Sequence, residues 1–151
     1  GAVEIGGWAP YFRTNPPESL LGDLAEHQVD VVIALAEMLP RVALEAPTVK
    51  RLASGLYEIR TALTNDGALP TGTAMAVRNR RARPHVVRVG LPVDRIMHGQ
   101  RVNKVWSIAG SGGRVPFRWI VRADDGAVVP LTVFSEKYGQ FTVDVTLEET
   151  N

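Results

Sequence analysis

Chemistry in this chain would rest first on its three histidines, His27, His85 and His98. His27 and Asp30 stand three residues apart, so on a helix they share a face, a spacing two metal ligands can use. No third ligand accompanies them, and a solvated helix face accounts for the pair. His85 opens a predicted strand and His98 sits in a predicted loop before Gly99. Neither has a carboxylate at a spacing that would make it a general base. Gly110-Ser111-Gly112-Gly113 has the glycine content of a phosphate cradle. A P-loop, however, continues into lysine, Ser/Thr and a helix, whereas Arg114 and a strand follow here. A flexible hairpin loop is the reading. Ser19, Ser54, Ser107, Ser111 and Ser135 lack the strand-turn-helix setting of an exposed nucleophile, and Asp124-Asp125 reads as a turn. The absence of cysteine rules out thiol nucleophiles, disulfides and thiolate-held metals. The sequence thus assigns no catalytic, cofactor-binding or metal-ligating residue.

Binding chemistry is more visible. Arg78, Arg80, Arg81 and Arg83 form the strongest charge run. Phosphate contact is physically open to them, but no aromatic residues are interleaved to stack bases. A solvated strand end, or an interface with an acidic partner, is expected instead, and nucleic acid is not. Trp106, Trp119 and Tyr57 are expected in the core.

The elements that must carry these residues change character along the chain. Asn15-Pro16-Pro17-Glu18 reads as a helix start, with Asn15 as cap, Pro16 at the first helical position and Glu18 as capping-box partner. Over residues 19–39, Leu20, Leu21, Leu24, Ala25, Val32, Leu35, Ala36 and Leu39 recur at spacings of three and four, predicting an amphipathic helix that Pro40 ends. A helix of about 22 residues cannot bury that stripe alone. Val42 to Pro47 reads as an extended connection. From Gly55 to Pro70 the period switches to two: Tyr57, Ile59, Thr61 and Leu63 alternate with Glu58, Arg60, Ala62 and Thr64, closing in Asn65-Asp66-Gly67, residues that tolerate a left-handed turn. Further strands are predicted at 48–52, 73–77, 85–91, 101–108, 115–122, 128–134 and 141–147, with a hairpin turn at Asp124-Asp125-Gly126. Short strands at this spacing predict an immunoglobulin-like antiparallel β-sandwich of about seven strands, preceded by one long amphipathic helix.

Composition agrees with a globular protein: 45% hydrophobic and 22% charged residues over 151 positions. The longest apolar runs, such as Val31 to Ala36, fall far short of the ~20 residues a membrane span needs, and no secretion signal opens the chain. The net charge of +1 conceals an asymmetry. Residues 1–45 hold two arginines against seven acids, net −5, which leaves +6 for the remainder. Opposite signs suggest a mutual interface or two different origins.

Two stretches look familiar together. VEIGGWAPYFRTNPPESLL (Val3 to Leu21), with LAEMLP (Leu35 to Pro40) after it, and GLYEIRTALTNDGALPT (Gly55 to Thr71), followed by RNRRARP (Arg78 to Pro84), resemble in order and spacing the carboxy-terminal portion of large bacterial zinc carboxypeptidases of the carboxypeptidase A type. In that family the first segment follows the catalytic core and leads into its terminal helix, and a β-sandwich appendage comes next. The resemblance implies that residues 1–45 are the tail of a catalytic domain and residues 46–151 a non-catalytic sandwich. Its zinc site uses an H-x-x-E pair and a later histidine, and none of His27, His85 or His98 is followed by glutamate at that spacing. Glu4 stands in the Gly-Gly-Trp context that comes after the family's general-base glutamate, so it is not assigned that role. The implied cofactor, zinc, belongs to a catalytic part upstream of Gly1. The implied partners are that upstream domain and, through it, peptide substrates, with a homo-oligomer through the helix stripe as a further option. The alternative is a stand-alone immunoglobulin-like module that binds a protein or glycan through the basic loops near Arg78 to Arg83.

Overall fold

The computed structural model describes residues 1–3, 6–7 and 16–148. The chain divides into two compact units, Gly1–Met38 and Leu39–Asn151.

In the first unit, helix α1 spans Glu18–Glu37. Its N-cap is Pro17, at φ −55° and ψ 145°, and no side chain caps it. The expected first helical position at Pro16 is therefore too early. Pro16 precedes a second proline, which drives it out of helical conformation, and the expected cap Asn15 lies outside the described residues. Met38 closes the helix ahead of Pro40, as expected. At about 100° per residue, apolar side chains from Leu20 round to Ile33 occupy roughly 220° of the circumference, interrupted by Gln28 and, in the first turn, by Glu18. Asp23, Glu26, Asp30 and Glu37 share a narrow stripe of about 60°. No residue of α1 is buried.

The second unit is the antiparallel β-sandwich the alternation predicts, built from nine strands. One sheet contains β1 (Val42–Leu44), β2 (Thr48–Ala53), β3 (Leu56–Asn65), β5 (Ile96–His98) and β7 (Gly113–Arg122). The other runs β6 (Val102–Val105), β4 (His85–Val89), β8 (Val128–Ser135) and β9 (Gly139–Thr146). In the first sheet β3 pairs with β7 over its whole length, while β1 and β2 share its other side. β1 lies before the expected domain boundary at 45/46, yet its ladder belongs to the sandwich.

Tyr57, Ile59 and Leu63 of β3, with Trp119 and Val121 of β7, face Val87, Val89, Val129, Leu131 and Val133 of the second sheet in one continuous core. Each fully buried aliphatic side chain of this kind stabilises by about 1.5–3 kcal/mol. β3 is flanked on both sides, so residues on its second face, Glu58 and Ala62, are buried too.

Asn65 holds the end of β3 by a device the sequence does not reveal. Its Oδ1 accepts from the Arg41 amide (2.9 Å) and the Gly67 amide (3.2 Å), while its Nδ2 donates to the Leu69 carbonyl (2.8 Å) and the Ala109 carbonyl (3.0 Å). Asn65, Asp66 and Gly67 do not adopt the left-handed backbone their types suggest. Glycine is required at 67 for a different reason: a Cβ there would overlap the Leu39 carbonyl.

The predicted strand at 73–77 is instead a helix, α2 (Ala74–Arg78). Thr73 Oγ1 accepts the Ala76 amide at 3.1 Å, and Ala, Met and Arg are good helix formers. Among the described residues no helix is long and apolar enough to cross a membrane.

Candidate functional site

His27, the first metal candidate, points its Nδ1 at the backbone oxygen of Asp23 (2.6 Å), not toward Asp30. His98 lies on β5 rather than in a loop, and is exposed. His85 is buried, with Nδ1 2.9 Å from Ser135 Oγ and its ring tilted against Tyr138 at 5.7 Å. Burial, with a smaller contribution from the charge of Lys137, lowers its pKa and keeps the ring neutral. Burial likewise raises that of Tyr138. The same Ser135 oxygen accepts the Tyr138 amide at 3.3 Å. No described carboxylate orients the imidazole, so the pair ties β4 to β8 instead of forming a nucleophile and base. Among the described residues no group of three or more histidine or acidic side chains could hold a metal.

The Gly110–Gly113 loop has already used the donors a phosphate would need. Ser111 donates its amide to the Gly67 carbonyl (2.7 Å) and Gly112 to the Asn65 carbonyl (3.1 Å). Asp125 closes its turn by accepting from the Tyr57 hydroxyl at 2.7 Å, which raises the tyrosine's pKa. Glu58 lies between Arg60 (2.9 Å) and Arg118 and is held below the usual carboxylate range, chiefly by the hydrogen bond from Arg60.

The arginine run is different, because the fold supplies what the sequence did not place beside it. Thr71 and Ile108 are joined twice, through the Thr71 amide to the Ile108 carbonyl (3.0 Å) and the Ile108 amide to Thr71 Oγ1 (2.9 Å). Ser107 Oγ adds a bond to the Gly72 carbonyl at 3.2 Å. These links carry Trp106 to the foot of α2. Trp119 and Tyr57 are core residues as expected, but Trp106 is 49% exposed. Its assignment to the core fails because β6 ends at Val105, one residue before it. A hollow of about 430 Å³ opens there, lined by Val77, Arg80, Ala82 and Trp106.

Arg80 sits in this wall in a strained conformation. The Arg80 amide donates to the Val77 carbonyl (3.0 Å) and the Arg81 amide to the Ala76 carbonyl (2.9 Å). This is the Schellman end of a helix, whose penultimate place is left-handed and ordinarily taken by glycine. Arg80 takes it at φ 54°. A second hollow of about 260 Å³ meets the first at Ala82, with Thr71, Arg81, His85, Ser135 and Lys137 among its walls. Arg83 at its rim is ion-paired with Glu136. A larger, open hollow of about 630 Å³ beside Gly55 mixes Asp94 and Asp124 with Arg95 and Arg122, and has no aromatic wall. The Trp106 hollow offers binding chemistry: an apolar seat with a guanidinium at its edge.

Residues 41–146 match the model of a protein family described as a domain of unknown function, DUF8731. Among curated proteins, none matches the chain. Among solved structures, the crystal structure of DesR, a beta-glucosidase from Streptomyces venezuelae in complex with D-glucose, is 18% identical. That match covers 70% of this chain and 15% of that one, with a TM-score of 0.32, a likeness too low to carry an argument.

Proposed function

The chain belongs to the DUF8731 family, matched over residues 41–146 of its sandwich, and we propose that it joins a self-sufficient accessory domain to the last helix of another domain. On this reading it is the non-catalytic C-terminal portion of a zinc metallocarboxypeptidase-like protein. The parent hydrolyses C-terminal residues of peptides, and the sandwich serves folding, docking or substrate access. The observation that carries the reading is α1. A helix on the surface of a globular domain needs an apolar arc of about 100°, whereas α1 presents roughly twice that and buries no residue. Such a helix belongs in a larger core. The resemblance of Val3 to Leu21 and Leu35 to Pro40 to the close of a carboxypeptidase catalytic domain supports the same assignment. Among the described residues no side-chain group fits the zinc itself, so no step of the peptidase reaction is derived from them.

Two measurements test this. The coding sequence upstream of Gly1 is expected to contain an H-x-x-E pair within a few hundred residues, and its absence there would sink the proposal. Metal analysis is expected to find one zinc per molecule of the longer protein and none in the 151-residue chain; stoichiometric zinc in the short chain would contradict the assignment. A second reading, an immunoglobulin-like module that binds a protein or glycan through the Arg78–Arg83 region, is favoured by one observation, the exposed Trp106 beside Arg80.

A further inference from the structure

The left-handed backbone at Arg80 points to a use for its side chain. Glycine is the default residue at this place in a helix end, because a Cβ there strains the left-handed backbone. The neighbour Asn79 belongs to a type that tolerates the conformation, yet it stands one position too early. An arginine held there directs a long cationic side chain into the wall of the Trp106 hollow.

The surroundings are prepared for a ligand. Thr71, Gly72, Ser107 and Ile108 fix the approach to α2, and the helix end fixes the Arg80 main chain, so the backbone of the site needs little reordering at binding. Among the described residues Arg83 forms an ion pair with Glu136, while Arg78, Arg80 and Arg81, all exposed, form none. The hollow itself is apolar, with Arg80 as its one charged wall.

We propose that this hollow is a binding site for an acidic peptide segment, seating one apolar side chain against Trp106 and Val77 with a flanking carboxylate on the Arg80 guanidinium. Arg78 and Arg81 receive further acids on either side. The chemistry selects this ligand class. Guanidinium forks match carboxylates in a bidentate manner, and Trp and Arg are the residues that dominate peptide and protein interfaces. A sugar ring would leave most of its hydroxyls unpaired against Val77 and Ala82. Single-stranded nucleic acid is bound by successive bases on successive aromatics, and one tryptophan provides a single step. The inference deepens the second reading above, naming its site and partner class, and holds whether or not the sandwich is joined to a peptidase.

The experiment is fluorescence anisotropy of the 151-residue chain with a labelled peptide of one central phenylalanine flanked by aspartates and glutamates. Three probes run beside it: the same peptide with alanine for phenylalanine, a uronate oligosaccharide and oligo-dT. The acidic phenylalanine peptide is expected to bind at least tenfold more tightly than the alanine version, and less tightly as salt rises. Arg80→Gly relieves the backbone and is expected to raise Tm by about 3–5 °C while weakening the peptide at least tenfold. Arg80→Lys keeps the charge and the strain and is expected to fall between. Trp106→Ala is expected to remove the preference for phenylalanine over alanine. Unchanged affinity in Arg80→Gly overturns the site. Tighter binding of the uronate overturns the ligand class but leaves the second reading standing. Tighter binding of oligo-dT, or binding of none of the probes, overturns both.

Discussion

α1 and β3 are both apolar by pattern, and they have opposite fates. Tyr57, Ile59 and Leu63 of β3 are completely buried, and among the described residues no buried side-chain polar atom lacks a hydrogen bond. Leu20, Leu24 and Leu35 of α1 are 49%, 42% and 57% exposed. Periodicity therefore reports that a face is meant to be covered, but not by what. In β3 the cover is β4, β8 and β9, all within the same unit. In α1 it is the breadth of the arc, more than its period, that supports the proposed placement in a different core.

This contrast can be broken or sharpened by measurement. Leu131→Ala in the sandwich core is expected to lose about 3 kcal/mol in chemical denaturation, since it removes methylenes and leaves a cavity. A loss under about 1 kcal/mol would mean the core is far looser than its burial implies. Asn65→Ala is expected to lose about 2–3 kcal/mol, because it strips partners from the buried Gly67 amide, the Arg41 amide and two carbonyls. Refolding with unchanged midpoint would refute the clamp.

His85 should shape the pH dependence. Its folded pKa is depressed from 6.5 by burial, so below that value the unfolded chain binds more protons than the folded one. Stability is thus fully present above about pH 6.5 and falls as the pH drops through it. His85→Gln is expected to flatten that slope between pH 7 and 5, and an unaltered slope would place its source elsewhere. The smallest effect is expected in α1: Leu35→Ala in the 151-residue chain should shift the sandwich transition by less than about 0.5 kcal/mol. In the longer parent protein the same change should be severalfold more damaging, and equal effects in the two contexts would remove the argument for a missing core.

The residues that spoke clearly in the sequence are those whose environment follows from local period. Val115, Phe117, Trp119 and Val121 alternate, and every residue of that strand pairs with β3. β1 and β5 are three residues long, too short for a period of two to register. Five residues at 73–77 are also too few to separate strand from helix by period, and the Thr73 cap makes the segment a helix. The site was the least legible part. Arg80 is visible in sequence as one of four arginines, but Trp106 reaches it only through the Thr71–Ile108 and Ser107–Gly72 bonds across more than thirty positions. A search for aromatics close in sequence to the arginines could not find it. The left-handed turn that isolates Arg80 is a backbone property, hidden because arginine is not its customary residue.

The broken margin of the first sheet has a consequence for the protein in solution. β1 and β2 lie along the same side of β3, and between them run Glu45, Ala46 and Pro47, where the ladder is interrupted. Along the opposite margin β5 covers only the Ile120–Val121 end of β7. A long unpaired strand is a template on which another chain can add and aggregate, while short or proline-broken margins offer no continuous row of amides. On the β1–β2 side the sheet therefore presents two short pieces rather than one continuous row of amides, a margin poorly suited to edge-to-edge stacking.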